Sequence, residues 1–390
     1  MQQLVLFQLA LATLLVAAAV HRWLLVPALL VAAALVLFAV LRRNQRSLRD
    51  WYATRAELRA RQRLAQGPPP SDVDPGLAPV AECVPGLRTH GYVDRDRRTV
   101  GMVGDGTFLT TVLRVEAKVS ALRPPGGSRA LPLRLLHDAL EVDGIRLASV
   151  QVVQHVQPAP ATHLPAQAVA RTSYAPLQER CGAPAMRLMW VALRLDPELC
   201  PEAVEARGGG QEGAQRCLLR AADQLASRLV GSGFAATVLA EDELVAALAT
   251  SACVNPLESA RAAQPGSPSV RRTEESAQSW RCDDRLHSSY AVSGWPELGR
   301  AATPLPRLVS LITSTPTLTT TFSLTLGRGR LRNAVGVSGC VRVTARSPEE
   351  LTQARRHLEH SARDAGVGLT RLDREQLPGV LATLPLGGTH

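Results

Sequence analysis

Gly233–Thr250 has the sequence GFAATVLAEDELVAALAT, and Gly366–Thr383 has the sequence GVGLTRLDREQLPGVLAT. The two stretches align without a gap and share seven of 18 positions, including Thr237/Thr370 and the closing Ala-Thr. Several matches at a single offset indicate an internal duplication. Each copy predicts a short strand followed by a helix, so we expect the elements before each copy to occur twice as well.

Hydrophobic periodicity upstream of each copy predicts the order β-α-β-β-α-β-α twice. In the first half, the predicted elements are strand 108–115, helix 131–141, strands 145–156 and 187–195, helix 212–230, strand 234–239 and helix 241–250. In the second half, they are strand 288–293, helix 304–313, strands 317–326 and 333–345, helix 348–364, strand 367–372 and helix 374–384. This order predicts an α/β (α+β) fold of two ferredoxin-like βαββαβ-type halves. One continuous sheet built from both halves is the alternative.

Two apolar stretches at the N-terminus predict a transmembrane hairpin. Residues 4–20 and 23–41 carry no charged side chain, and each reaches the length that a bilayer requires. His21 and Arg22 would form the tip of the hairpin. A cleaved signal peptide is the alternative, since Ala17–Ala19 resembles a cleavage site, but no basic residue precedes the first stretch.

Positive charge is concentrated directly after these stretches. Eight arginines and two acids lie between residues 42 and 65, whereas the whole chain carries a formal charge of +10. The positive-inside rule then predicts that both termini are cytoplasmic and that the protein is a two-pass protein of the plasma (inner) membrane. Because the remaining chain is nearly neutral, the charge does not indicate nucleic-acid binding.

Composition shifts divide the chain into six parts. The expected parts are the hairpin at 1–41, a basic juxtamembrane helix at 42–66, a Pro-rich linker at 67–82, a first cytoplasmic half at 83–254, a flexible linker or insertion at 255–285 and a second half at 286–390. The juxtamembrane helix would rest on the lipid bilayer or dock a partner subunit.

Motifs that usually indicate catalysis or cofactor binding are weak. No Gly-x-x-x-x-Gly-Lys-Ser/Thr loop occurs, and Gly208–Gly210 predicts only a turn before a helix. Seven scattered cysteines without a Cys-x-x-Cys pair favour neither a disulfide framework nor a zinc site. His137-Asp138 does not form a triad with any Ser or Cys nucleophile motif. We therefore expect no catalytic, cofactor-binding or metal-binding residues and no cofactor.

Two patterns keep a metal hypothesis open. Asp94-Arg95-Asp96 matches the Asp-x-Asp pattern with which glycosyltransferases hold a divalent metal. His357 and His360, with Glu359 between them, are spaced to share a metal on a helix. Charged turns and solvated helix faces produce both patterns more often, and the arginines beside the histidines disfavour a cation.

Two further patterns predict local conformation or packing. Asp105-Gly106 is typical of a tight hairpin turn. Trp295-Pro296, which follows His287 and Tyr290, predicts an aromatic that packs the second half against its neighbours or against a partner.

Several segments together resemble one family. They are the hairpin, the stretch Thr99–Gly106 (TVGMVGDG) leading into Phe108–Val115, the stretch Ile145–Pro158 ending in VQHVQP, and His287-x-x-Tyr290-x-Val292-x-x-Trp295-Pro296. In this order they are similar to EccE, a membrane component of the actinobacterial type VII (ESX) secretion system.

The resemblance implies a non-enzymatic structural subunit of an inner-membrane secretion complex, assembled with EccB, the ATPase EccC and EccD. It gives no catalytic residues to carry over. Residues 255–284 do not match the family pattern. A membrane-tethered glycosyltransferase-like enzyme and a ligand-sensing cytoplasmic domain remain the alternatives from other functional classes.

Overall fold

A 12-stranded antiparallel sheet organises the part of the chain that the computed structural model describes. The described residues are 42–43, 46–70, 73–94, 97–117, 130–158, 167–169, 172–173, 176, 186–267, 270–296, 304–329 and 334–388. Residues 1–66 and 67–390 form two units, and the sheet belongs to the second. The first unit contains a short strand pair and helix α1.

The strands among these residues are β1 Arg42–Arg43, β2 Arg46–Ser47, β3 Arg88–Val93, β4 Thr99–Gly104, β5 Leu109–Ala117, β6 Glu141–Val142, β7 Ile145–Arg146, β8 Ser149–Gln157, β9 Met186–Leu195, β10 Phe234–Val238, β11 Thr273–Glu275, β12 Trp280–Cys282, β13 Arg285–Gly294, β14 Thr319–Arg328, β15 Val335–Ala345 and β16 Gly368–Arg371. The α-helices are α1 Leu48–Leu64, α2 Ala78–Ala81, α3 Leu133–Asp138, α4 Pro201–Glu205, α5 Gly210–Gly231, α6 Glu241–Ala252, α7 Pro256–Ala262, α8 Leu305–Thr313, α9 Pro348–Asp364 and α10 Gln376–Leu381.

The two halves have the same strand order. In the first half, the neighbours are β10-β5-β9-β8, and in the second they are β16-β13-β15-β14. Each order is that of a split βαβ unit, in which the fourth strand lies beside the first and the hairpin of the second and third strands completes the sheet. A short hairpin extends each half at the matching edge, β3–β4 beside β5 and β11–β12 beside β13.

Strands β8 and β14 join the halves into one sheet. They pair antiparallel over eight residue pairs, from Ser149↔Gly327 to Val156↔Thr320. Because β8 and β14 are the second strands of their halves, the strand order is repeated outward from this junction, as a two-fold arrangement of the duplicated unit requires. The continuous sheet, stated above as the alternative, is thus the observed one.

The fold class that we predicted, two transmembrane helices followed by two ferredoxin-like halves, is wrong as stated. Among the residues that the structure describes, no helix combines the length and apolar composition needed to cross a bilayer. The long N-terminal helix in this set, α1, carries five arginines in 17 residues and is too polar. The predicted spans at 4–20 and 23–41 lie outside the described residues.

Two predicted segments contain more structure than their sequence patterns indicated. Within the basic segment at 42–66, the helix begins at Leu48, and the preceding residues Arg42–Arg43 and Arg46–Ser47 pair as strands. Residues 255–285 contain α7, β11 and β12, and Asn255 caps α7 by accepting a hydrogen bond from the Leu257 N–H.

The sheet has a different kind of core on each face. On the face that we call face 1, each half has its own core: Leu136 of α3 and Leu225 of α5 pack on the first half, and Ile312 of α8 and Leu358 of α9 pack on the second. On the opposite face, face 2, one shared core includes Leu248 of α6 and Val380 and Leu384 from the α10 region. The helix added to each split βαβ unit therefore covers the sheet face that the unit leaves open.

We predict that substitutions in the two separate cores destabilise the same unfolding transition. Leu136→Ala in the first half and Ile312→Ala in the second each remove a fully buried side chain, which typically costs about 2–5 kcal/mol. Because the halves share a sheet and a core, calorimetry of the full chain should show both variants lowering one main transition.

Leu311→Ala is the matched control, because Leu311 lies beside Ile312 on α8 but is 44% exposed. It should leave the transition almost unchanged. A variant that lowers one transition while a second stays at its wild-type temperature would contradict a single cooperative body.

Candidate functional site

A groove with a volume of about 630 Å³ opens between the β3–β4–β5 end of the sheet and the start of α5. Its floor includes Phe108, Leu109 and Val204, which belong to the buried cores. Arg88 and His90, on edge strand β3, contribute one wall. A cleft with an apolar floor and polar groups at its walls has the features of a binding site.

Glycines shape the opposite wall. Gly208 and Gly209 have φ angles of 110° and 70°, in the left-handed region that favours glycine, and they reverse the chain between α4 and α5. At Gly213, a Cβ would lie 2.4 Å from the Val204 carbonyl oxygen, so only glycine allows the two helices to approach this closely. The turn therefore places Glu205 and the first residues of α5 at the groove.

Three acidic side chains, Asp105, Glu198 and Glu205, are among the residues that line the groove. Asp105 accepts hydrogen bonds from the Thr107 N–H at 2.9 Å and from Thr107 Oγ1 at 2.7 Å. Burial alone would raise the pKa of Asp105, but these hydrogen bonds outweigh burial and lower it, so the carboxylate is ionised. Glu198 and Glu205 are exposed. Neither forms an ion pair with another described residue, so both are available to a basic ligand.

A second polar region lies on face 2, beneath α6 and α10. His155 of β8 is hydrogen-bonded through Nδ1 to Thr321 Oγ1 at 2.9 Å, and His287 of β13 through Nδ1 to Thr344 Oγ1 at 3.0 Å. Both histidines are fully buried. Burial, followed by the charge of Arg342, lowers the pKa of His155 to about 3 and that of His287 well below its ordinary value. Both rings are therefore neutral at physiological pH.

Side chains of this polar layer form hydrogen bonds with carbonyls at the C-terminal ends of α6 and α10. Gln151 Nε2 and Ser323 Oγ both donate to the Ala382 carbonyl at the end of α10, at 2.8 and 2.6 Å. Arg342 Nη2 donates to the Ser251 carbonyl in the last turn of α6. The last carbonyls of a helix lack partners within it, so strand side chains supply them here. These groups hold the ends of both helices in place.

The residues of the two metal hypotheses form other contacts. Asp94 accepts hydrogen bonds from the Arg98 N–H and Nε, at 3.0 and 3.1 Å, and Arg98 also contacts Asp223 at 2.9 Å. Arg95 and Asp96 lie outside the described residues. His360 pairs with Asp364 at 3.3 Å, whereas Glu359 accepts a hydrogen bond from Tyr290.

Within the described part of the chain, no group of three or more His, Cys, Asp or Glu side chains is placed to hold a metal ion. His137 Nδ1 lies 3.4 Å from Asp138 Oδ1. Arg228 also contacts Asp138, at 2.6 Å, and lowers its pKa. That carboxylate is therefore held in an ion pair.

The residues of the remaining sequence patterns form turns or packing contacts within the fold. Asp105-Gly106 forms the turn between β4 and β5, and Gly208–Gly209 precede α5, as their patterns predict. Trp295 packs edge-on against Phe322 of the same half, with ring centroids 6.5 Å apart. Cys83, Cys200, Cys217, Cys253, Cys282 and Cys340 are free thiols, and Cys181 lies outside the described residues.

Sequence reasoning missed both the groove and the polar layer. The signal for the layer was present, because Thr319, Thr321, Ser323 and Thr325 alternate along a predicted strand whose other face is apolar. No comparable signal marked Glu198 or Glu205, because their role at the groove depends on the fold.

We predict that the buried neutral histidines make the fold sensitive to mild acid. Above about pH 7.5, both are neutral in the folded and unfolded states. As pH falls from about 6.5 towards 3, the unfolded chain binds protons that the folded chain excludes, so the free energy of unfolding falls. Each histidine should contribute a slope of up to about 1.4 kcal/mol per pH unit.

Urea unfolding between about pH 5 and pH 7 measures this slope. His155→Gln should reduce it by one histidine's share, whereas His360→Gln, at an exposed ring, should leave it unchanged. Equal slopes for wild type and His155→Gln would contradict the assignment of a neutral buried ring.

Comparison with known proteins gives one family match. Residues 183–292 match the family model described as "EccE: Putative type VII ESX secretion system translocon, EccE". The matched stretch begins three residues before β9, ends within β13 and therefore includes strands of both halves. No curated protein sequence matches the chain.

One matching solved structure is described as alkyldihydroxyacetonephosphate synthase in P212121, with 8% identity and a TM-score of 0.28. The match covers 69% of this chain, which spans only 42% of the length of that protein. A likeness this distant carries no information about fold or function here. Over residues 183–292, the comparison confirms the resemblance to EccE that was drawn from the sequence. The matched range includes residues 255–284, for which the sequence alone had shown no match to the family pattern.

Proposed function

We propose that this protein is a non-enzymatic structural subunit of a type VII secretion translocon and supports assembly or stability of the export channel. The observation that carries the proposal is the EccE match over residues 183–292, which includes β9, β10 and β13 of the shared sheet. The family is described as a component of the translocon, and its other membrane components, EccB, EccC and EccD, are the partners proposed here. The protein would act at the membrane as part of that complex.

The contacts of the polar side chains support a structural role. Asp94, Asp138 and Glu359 have Arg98, Arg228 and Tyr290 as partners. The buried polar groups Gln151, Ser323 and Arg342 hold the ends of α10 and α6. Polar groups with such partners rigidify a fold, which suits a subunit that keeps other subunits in position.

We assign the groove as the surface that binds a segment of a neighbouring translocon subunit. The segment should bring apolar side chains over Phe108 and Val204 and a basic side chain beside Glu198 and Glu205. Apolar contact at the floor would supply affinity, and charge complementarity at the rim would set the orientation of the segment.

Deletion of the gene tests the proposal at the level of the pathway. Export of type VII substrates should be lost, and wild-type protein supplied in trans should restore it. The isolated EccC ATPase should remain active, because the proposed role is structural. Normal export in the deletion strain would contradict the proposal.

Charge reversal at the groove tests the docking surface. The double variant Glu198→Lys, Glu205→Lys should weaken association with the translocon about tenfold, since like charges would replace complementary ones. Co-purification of EccB, EccC and EccD across a salt series measures this association, and the unfolding temperature of the variant checks its fold.

Glu202→Lys provides the matched control, because Glu202 is exposed on the same helix α4 but does not line the groove. It should leave association and export at wild-type levels. If the groove variant also assembles and exports normally while folded, partners bind elsewhere.

A further inference from the structure

Four buried polar atoms on or beside one strand pair have no hydrogen-bond partner among the described residues. They are Nε and Nη1 of Arg342, Nε2 of His287 and Oγ of Ser289. All three side chains are fully enclosed, with 0% exposure. An unpartnered buried polar group costs about 1–3 kcal/mol, and more when it is charged, so several such groups in one place indicate a bound group.

The three side chains share face 2 on adjacent strands. Ser289 of β13 is the direct partner of Arg342 on β15, and His287 is the partner of Thr344, two residues along. Directly opposite side chains of an antiparallel pair have Cβ atoms about 5 Å apart, and residues two apart share a face. His287 and Ser289 therefore lie on the same surface of the sheet as Arg342, next to it on the neighbouring strand β13.

The charge of Arg342 is incompletely compensated. Its Nη2 donates to the Ser251 carbonyl and lies 3.5 Å from Thr321 Oγ1, but no described carboxylate is within ion-pair distance. Burial raises the pKa of the neighbouring Cys282 thiol well above its ordinary value, so this thiol carries no negative charge. The neutral rings of His155 and His287 add none.

Arg272 shows what a fully compensated arginine looks like in the same protein. Its Nε and Nη2 both donate to Asp283, each at 2.7 Å. It makes further hydrogen bonds to the Pro75 carbonyl and Ser259 Oγ, at 2.7 and 3.2 Å. Arg272 thus has a carboxylate partner, whereas Arg342 has no anionic partner among the described residues.

We propose that a small monovalent anion of the size of chloride binds beside Arg342. The guanidinium supplies charge and N–H donors, and Ser289 Oγ supplies a hydroxyl donor. When Thr344 Oγ1 donates to His287 Nδ1, the ring proton is on Nε2 and can be donated to the anion. One uncompensated positive charge calls for one negative charge, and the complete enclosure of the side chains limits the occupant to a small ion.

Thermal unfolding of the full chain tests the site. Chloride is exchanged for bulky gluconate at constant sodium concentration and ionic strength, so that general screening is unchanged. Wild-type protein should gain a few degrees in unfolding temperature as chloride rises, and the gain should saturate as the site fills. Bromide should act as chloride does.

Variants assign the effect to the residues. Arg342→Gln should abolish the chloride response, whereas Arg272→Gln should lower stability but keep the response. Ser289→Ala removes one donor without adding volume and should raise the half-saturating chloride concentration several-fold, which keeps the test open if Arg342→Gln does not fold. In bromide-soaked crystals, an anomalous peak should lie within hydrogen-bond distance of Arg342.

Two results would overturn the proposal. One is an unfolding temperature of the wild type that is the same in chloride and gluconate, which would mean that water or rearranged side chains satisfy Arg342. The other is a chloride response that persists in both Arg342→Gln and Ser289→Ala, which would place the anion elsewhere.

Discussion

The pairing of β8 with β14 is the interaction on which the rest of the structure depends. Eight residue pairs join the second strands of the two halves, and no other strand pair connects one half to the other within the described sheet. This pairing turns two small units into one surface with two continuous faces. Face 2 then needs helices from both halves to cover it, and α6 and α10 share a single core there.

Covering face 2 brings polar strand residues and helix ends together. A sheet buried on both faces normally has apolar side chains on both, but β14 and β15 present Thr, Ser and Arg to α6 and α10. These groups are tolerated because they meet the unpartnered carbonyls at the ends of the helices. The polar side chains of the strands and the carbonyls at the ends of α6 and α10 therefore satisfy each other. Without the other set, either would be left as buried polar groups without partners.

Sequence reasoning reached the local order of elements but not how the halves combine. The repeat at Gly233 and Gly366 and the strand and helix periodicity are local signals, so the element order could be read from them. The β8–β14 pairing joins residues about 170 positions apart. No sequence pattern indicated whether β8 pairs with β14 in one continuous sheet or each half forms a sheet of its own. In the edge hairpins, β11 and β12 have only three residues each, and β3 and β4 contain glycines that interrupt the alternation of apolar and polar residues.

The candidate site illustrates the same limit. Glu198 and Glu205 follow β9, whereas Arg88 lies on β3 and Phe108 directly precedes β5. Only the fold brings these four residues to one groove. Arg342 lies within an apolar run that predicted an ordinary buried strand. Its role became visible when its neighbours on β13 and α6 were known.

We propose that this sheet is a structural part of a type VII translocon, with its groove against another subunit. A structure of the translocon purified from native membranes tests this most directly. The account predicts density for the 12-stranded sheet within the complex, with a segment of a second subunit in the groove beside Glu205. A complete complex without this chain, or with its groove open to solvent, would contradict the account.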